Sequence, residues 1–336
     1  MKALVTGGSG FIGLYIVEQL VARGDEVRVL SRRKLPDFER LNVTHFAGDL
    51  QDRALIDSAV KGVDVVFHVA GLTGIWGPWR TFYKVNVECT RELLQACQRH
   101  QVSRFVYTSS PSVIYDGSPH EYSDETLPYP EQHLGYYSHT KMLGEQSVLQ
   151  ANGVAGLNTA AIRPHLVWGP RDQSLAPRVI EKAAQGKLRR VGDGTNRISV
   201  SYVENVAAAH LQLADSLTEN SPTSGQAYFI NDPEPVNVWE WINELLRNVG
   251  IATIEKSVSA QTAMRAGRLC EWLYFLLPLR GDPPMTRFVA SQLSQTHYYS
   301  IEKAIRDFNY QPIVELAAGK QKWRADLEQY AAKVNR

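Results

Sequence analysis

Three side chains in this sequence have the chemical types needed to move a proton to or from a carbonyl or alcohol oxygen. Tyr137 and Lys141 stand four residues apart, so on a helix they share a face. A phenol titrates near ~10 and keeps its proton at neutral pH. A neighbouring ammonium favours the phenolate and makes that proton transferable. Ser110 ends an apolar run, and its hydroxyl suits holding the same oxygen. Solvated helices often carry a tyrosine–lysine pair at this spacing, so the pair gains meaning only from its company. That company is a second stretch, Thr6-Gly7-Gly8-Ser9-Gly10-Phe11-Ile12-Gly13.

The glycine stretch joins a short apolar run over 2–6 to an apolar helix pattern through Phe11, Ile12, Tyr15, Ile16, Val17, Leu20 and Val21. The pattern stops at Arg23-Gly24, and a second strand follows over 26–30. A strand–helix–strand unit this short implies a crossover helix between parallel strands. The glycines fit both G-x-G-x-x-G (Gly8, Gly10, Gly13) and G-x-x-G-x-x-G (Gly7, Gly10, Gly13). Gly7 and Gly10 permit a tight turn and close approach of phosphate, and Gly13 lets the helix pack near the strand. Free N–H groups at the helix start favour a pyrophosphate. Gly7, Gly10, Phe11, Ile12 and Gly13 are therefore a candidate dinucleotide cradle. An acid at the end of the second strand would bind the ribose 2′-OH of NAD, but the chain reads Ser31-Arg32-Arg33-Lys34. A small hydroxyl at Ser31 and a guanidinium at Arg32 suit a 2′-phosphate, so NADP(H) is the expected cofactor and NAD(H) the alternative. The competing interpretation is a solvated basic loop.

The alternation continues through a strand over 44–46, Gly48-Asp49-Leu50, a helix over 55–60, a strand over 63–70 and a helix over 82–100. A strand over 102–110, a helix over 137–151 and a strand over 157–164 follow. This pattern predicts an α/β fold, a Rossmann doubly wound parallel sheet with a smaller, mostly helical C-terminal substrate lobe. Residues 1–168 are expected to form the dinucleotide-binding domain, with returning segments near 196–216 and 226–232, and 169–195 with 233–336 the lobe. Expected there are a helix over 175–185, returning strands over 199–203 and 227–230, an amphipathic helix over 239–249 and an apolar helix over 264–279. Ligands of such sheets sit at the carboxyl ends of the strands. That edge would gather Gly10, Arg32, Ala70, Ser110 and Arg163.

Taken together, Thr6-Gly7-Gly8-x-Gly10-Phe11-Ile12-Gly13, Gly48-Asp49-Leu50, His68-Val69-Ala70, Asn86-Val87, Thr108-Ser109-Ser110, Tyr137-x-x-x-Lys141 and Arg163-Pro164 resemble the motif set of the extended short-chain dehydrogenase/reductases, the superfamily of NAD-dependent epimerases and dehydratases. The likeness covers essentially the whole chain. It implies Tyr137 as catalytic acid/base, Lys141 as its modulator and a contact of the nicotinamide ribose, and Ser110 as the third member. It places Asp49 and Leu50 near the adenine, Val69, Ala70 and Ser109 along the cofactor, and the backbone after Arg163-Pro164 near the nicotinamide. It also implies a homodimer through 82–100 and 137–151. A narrower likeness is to the 3β-hydroxysteroid dehydrogenase and sterol-4α-carboxylate 3-dehydrogenase branch. Leu127-Pro128-Tyr129, Tyr136-Tyr137-Ser138-His139-Thr140-Lys141, Ile162-Arg163-Pro164-His165, Gly169-Pro170-Arg171-Asp172, Gly192-Asp193-Gly194 and Tyr202-Val203-Glu204-Asn205-Val206 carry it. Weaker signatures at Ala70-Gly71, Trp76-Gly77, 108–113, Trp168-Gly169-Pro170 with Asp172-Gln173, and 281–288 are similar to the bacterial 2-alkyl-3-oxoalkanoate reductases. Both likenesses imply hydride transfer between a nicotinamide and a 3-oxo or 3-hydroxy group of a hydrophobic, lipid-like substrate.

Composition narrows the other possibilities. A net charge of +1 over 336 residues gives no bulk attraction to nucleic acid. Cys89, Cys97 and Cys270 are too few for a disulfide framework and lack metal-site spacing. A first strand at Lys2 leaves no room for a signal peptide, and no run reaches the ~18 apolar residues of a spanning helix. The expected location is cytoplasmic. Residues 265–279 are open to three interpretations: the wall of a hydrophobic substrate tunnel, a peripheral membrane contact, or a plain core or dimer helix. Trp76 and Trp79 are candidate lid residues or simple loop anchors, and His165 is expected to be a packed histidine. Two rival functions remain. A nucleotide-sugar epimerase shares the fold but commonly keeps an acid where Ser31 stands, and a dehydratase would want carboxylates where the chain has Ser110-Pro111-Ser112. A non-catalytic NADP(H) sensor would be expected to lack the Tyr137–Lys141 pair.

Overall fold

The computed structural model describes residues 1–277 and 279–334. Short runs of apolar residues form β1 (Lys2–Thr6), β2 (Glu26–Ser31), β3 (Thr44–Ala47), β4 (Val65–His68), β5 (Arg104–Thr108), β6 (Asn158–Pro164) and β7 (Gln226–Ile230). They make one parallel sheet in the order β7-β6-β5-β4-β1-β2-β3. Ala3, Leu4 and Val5 are fully buried in succession, which a strand covered on both faces requires. The strand order reverses at β1, which lies between β2 and β4, and the crevice opens there.

One face of the sheet is covered by α1 (Phe11–Ala22), whose Ile16, Val17 and Leu20 are fully buried. On the other lie α2 (Cys89–Arg99) and α3 (Tyr136–Gln150), which contribute Leu93 and Val148 to a second core. A further helix, α4 (Val203–Ser216), packs with α1. The helix expected over 82–100 begins instead at Trp79 and passes through a wider, π-helical turn at Lys84–Glu88 before α2. Such turns often mark functional sites, and this one holds Asn86.

The strand expected over 199–203 does not return to the main sheet. Only Ser201–Tyr202 is extended, and it pairs with Val167–Trp168. The reason is a set of buried polar bonds across the ends of β6 and β7. Asp232 accepts from Tyr202 N at 3.0 Å and Trp168 Nε1 at 2.7 Å, and Ser201 Oγ bonds the carbonyls of His165 and Ile230, each at 2.7 Å. The lobe is not helical throughout. A small sheet joins Val236–Asn237, Arg197–Ile198, His297–Tyr299 and His120–Ser123. Its core is built on tryptophans, with Trp241 stacked on Trp323 at 5.1 Å.

The apolar helix expected over 264–279 is α5 (Ala260–Leu276), and Pro278 within the expected stretch lies outside the described residues. Among the described residues no helix is long and apolar enough to cross a membrane.

Candidate active site

At the carboxyl end of β1 the chain turns at Gly7 with φ of +71°, in the left-handed region that favours glycine. A Cβ there would stand 2.8 Å from the backbone of Ala70, so the loops after β1 and β4 meet at a point only glycine fits. Gly7 accepts from Gly10 N at 2.8 Å. A Cβ on Gly13 would collide with that same Gly7 carbonyl. Gly13 therefore accommodates the loop's own backbone as α1 leaves it. Gly7, Gly10, Phe11, Ile12 and Gly13 all line one cleft of about 840 Å³, a size within the range of small-molecule sites.

Ser31 and Arg32 line the next part of the cleft. The Ser31 hydroxyl is engaged locally, donating to the Arg33 carbonyl at 2.9 Å and contacting His45 Nε2 at 3.0 Å. Arg33 ties the two loops together by donating to the Ser9 carbonyl at 2.8 Å. Arg32 is exposed and makes no hydrogen bond or ion pair among the described residues, which leaves its five donors free. Asp49 and Leu50, after β3, form the adjoining wall.

Val69, Ala70, Ser109, Ser110, Tyr137, Lys141 and Pro164 complete the cleft beyond the glycine loop. The Tyr137 phenol is raised by burial, with the Ser110 hydroxyl acting in the opposite direction. Lys141 is buried and donates to the Thr108 carbonyl at 2.6 Å, with Nζ 4.0 Å from the centre of the Tyr107 ring. Burial pushes its ammonium down to about 7, and the Glu145 charge pulls back only part of that shift. From its spacing Lys141 is expected to favour the Tyr137 phenolate. Here the ammonium is committed to Thr108 and Tyr107, and burial and Ser110 are the influences on the phenol. Asn86, in the π-helical turn, exchanges bonds of 2.8 and 3.1 Å with the backbone of Leu72 and donates to Thr140 Oγ1 at 3.1 Å. It fixes the loop after β4 to the helix that carries Tyr137 and Lys141.

Arg163 is not in the cleft. Its guanidinium is buried and grips Glu145 with two bonds, of 3.0 and 2.6 Å. Neighbouring strand residues point to opposite sides, so the Arg163-Pro164 motif delivers Pro164 to the site and Arg163 to α3. Burial raises the Glu145 carboxyl, but the charge and hydrogen bonds of Arg163, with hydrogen bonding from Ser109 and Tyr129, together hold it below its ordinary value. Tyr129 adds a bond of 2.7 Å to the same carboxylate. Sequence reasoning missed Glu145, although Tyr137, Lys141 and Glu145 repeat at a four-residue interval along one helix face. It also missed Tyr107 and the wall formed by Gln173, Ser174 and Leu175.

Trp76 and Trp79 do not line the cleft. Trp79 packs among Tyr83, Tyr136 and His139 at 5.0–5.5 Å, and Trp76 meets Tyr274 of α5 edge-on at 6.2 Å. His165 is buried and bonded to His297 at 2.7 Å. Among the described residues of 265–279 none lines the cleft, and Leu269, Trp272, Phe275, Leu276, Leu277 and Leu279 are exposed, which fits neither a wall of this cleft nor a plain core helix.

A Rossmann sheet that brings a glycine cradle and a tyrosine–lysine pair to one crevice defines an NAD(P)-dependent oxidoreductase of the extended short-chain dehydrogenase/reductase type. More narrowly, the chain belongs to the 3-beta hydroxysteroid dehydrogenase/isomerase family, whose model it matches over residues 4–259. It is 43% identical to the 2-alkyl-3-oxoalkanoate reductase of Stenotrophomonas maltophilia, an alignment covering 97% of this chain and 99% of the relative. It is 34% identical to the decarboxylating sterol-4-alpha-carboxylate 3-dehydrogenase of Mus musculus, over 94% of this chain and 88% of that one. Among solved structures, the UDP-glucuronic acid 4-epimerase of Bacillus cereus in complex with NAD shares the fold, with a TM-score of 0.74 at 20% identity over 98% of this chain and 100% of that one. By their names these relatives are a 3-oxoalkanoate reductase and a sterol 3-dehydrogenase, and the chain shares with them the build of an NAD(P)-dependent oxidoreductase.

Proposed function

We propose that this enzyme is an NADP(H)-dependent reductase of the 3-oxo group of a hydrophobic, lipid-like substrate of the 2-alkyl-3-oxoalkanoate type. The observation that carries the proposal is the placement of Ser110, Tyr137 and Lys141 in one cleft with the glycine loop and an unpaired Arg32. The residues fit a dinucleotide, because Gly7, Gly10 and the start of α1 line the cleft at the carboxyl end of β1, and a Cβ on Gly7 would force apart the loops after β1 and β4 that form it. Gly7, Gly10 and the start of α1 would hold its pyrophosphate, and Asp49 and Leu50 would flank its adenine. Arg32 would pair with a 2′-phosphate. When bound, the dinucleotide supplies the hydride.

The chain's own groups manage the proton and the charge. Burial keeps the Tyr137 phenol protonated at neutral pH, so its resting role is that of an acid. It donates to the oxygen that becomes an alkoxide, and Ser110 hydrogen-bonds the same oxygen. Lys141, anchored on Thr108, presents a second donor edge to the crevice. The 43% identity to a reductase of this substrate type over nearly the whole chain supports the substrate class.

The test is oxidation of NADPH, and separately of NADH, with a long-chain 2-alkyl-3-oxo acid, a 3-ketosteroid and a UDP-sugar. Turnover of the oxo acid with NADPH is expected. Arg32→Glu should lower kcat/KM with NADPH by about ten- to a hundredfold and spare NADH. Conversion of the UDP-sugar without net cofactor oxidation would overturn the proposal in favour of an epimerase.

A further inference from the structure

The helix α5 is mounted with its large apolar side chains facing away from the protein. The face turned inward consists of Ala263, Gly267 and Glu271. A Cβ on Gly267 would stand 2.7 Å from the backbone carbonyl carbon of Thr286, so the helix lies directly on the chain there. Glu271 fixes the rotation by accepting from Arg287 N at 2.7 Å and Arg287 Nε at 2.6 Å. The opposite face therefore presents Leu269, Trp272, Phe275 and Leu276, each more than half exposed, with Phe275 at 77%. Leu277 and Leu279 extend the same exposed surface. An apolar patch this continuous marks an interaction surface.

The charge around it identifies the occupant. Arg265, Arg268 and Arg280 are exposed and form no ion pair among the described residues. The acids of the same segment are engaged, Glu271 with Arg287 and Asp282 with Arg178 at 2.7 Å. A second copy of this chain would bring arginines against arginines around a two-fold axis. A layer of anionic headgroups over an apolar interior matches both features, with tryptophan at the boundary between them.

We propose that the outer face of α5 docks this enzyme onto an anionic lipid surface. The docking edge is joined to the active site through Tyr274, which packs on Trp76 in the loop whose first residues line the cleft. The docking itself is independent of which substrate the cleft takes.

The experiment is co-sedimentation of the full chain with vesicles of phosphatidylglycerol and phosphatidylcholine, and with phosphatidylcholine alone. Wild-type protein should sediment with the anionic vesicles and roughly tenfold less with the neutral ones. Binding should weaken at about 1 M salt, where screening reaches within ~3 Å. Trp272→Ser/Phe275→Ser should abolish sedimentation while keeping the wild-type melting midpoint and NADPH oxidation with a water-soluble ketone. Arg265→Glu/Arg268→Glu should lose the preference for anionic vesicles. Wild-type protein that stays in the supernatant would overturn the proposal, as would a serine variant that sediments like wild type. A dimer in vesicle-free buffer that the serine variant dissociates would also overturn it, by assigning the face to a second copy.

Discussion

Two buried cations sit near neighbouring strand ends of this enzyme, and their surroundings stabilise them in opposite ways. Arg163, 3% exposed at the end of β6, holds a carboxylate with two hydrogen bonds and faces the rings of Phe229 and Tyr129 at 5.4 and 5.8 Å. Its charge is secured, and its pKa is raised because the carboxylate beside it outweighs the cost of burial. Lys141, 4% exposed beside the end of β5, has one backbone carbonyl and one aromatic face, and burial leaves it at about 7. The carboxylate that could have neutralised it, Glu145, lies one turn further along α3 and is given to Arg163. A paired buried charge serves the structure, whereas a buried charge left short of partners is a poised group, and such groups gather at active sites.

The sharpest way to break this contrast is to remove the phenol hydroxyl that shares the cleft with the poised lysine. Tyr137→Phe is expected to lower kcat by about 10³–10⁴-fold, the upper part of the range for a general acid. Its unfolding midpoint and its dissociation constant for NADPH, measured by fluorescence titration, should stay within a few-fold of wild type. Retained turnover would remove Tyr137 from the mechanism and, with it, the reason for keeping Lys141 unpaired.

The paired site should show the reverse pattern. Glu145→Gln leaves a buried guanidinium without its counter-ion, and about 3–5 kcal/mol of stability should be lost. Urea unfolding measures that loss, while KM for NADPH in the remaining folded enzyme should change little. Adding Arg163→Gln to the same chain should restore part of the stability, giving a double-mutant coupling of the opposite sign to the single losses. A purely additive pair would mean that the two groups are not acting as one buried unit.

The first half of the fold was legible because each of its signals is local. The turn at Gly7 needs a residue without a Cβ, and the alternation of apolar runs and helix periods names the strands and helices between Lys2 and Pro164. The direction of a side chain at a strand end is not local. Arg163 was grouped with Pro164 because the two are adjacent, yet the pleat sends one to the cleft and the other to Glu145. Ser199–Val203 alternates serine with apolar residues, the pattern of a strand. Its partners are set instead by Asp232, a residue thirty positions from Tyr202 in sequence whose carboxylate reaches the Tyr202 backbone at 3.0 Å. For α5 the sequence shows a segment rich in large apolar residues, but only Gly267 and the Glu271–Arg287 pair show that these side chains point outward.

The smallest of the expected effects is a slope rather than a step, and it probes the lysine itself. Lys141 titrates at about 7 in the folded chain and near ~10.4 when unfolded. Between those values the unfolded chain binds more protons, so this group makes stability rise with pH. The burden of the buried cation is full at pH 7 and below, and it is gone above the unfolded value. Lys141→Met carries no charge to desolvate. It should therefore be inactive, more stable than wild type at neutral pH, and progressively less so as the pH approaches ~10, with a change of at most about 1.4 kcal/mol per pH unit. Thermal unfolding of both proteins at matched pH values between those limits measures the gap. A gap independent of pH would mean that Thr108 and Tyr107 compensate the cation as completely as Glu145 compensates Arg163. The two sites would then differ only in the partner chosen, and Lys141 would not be a poised group.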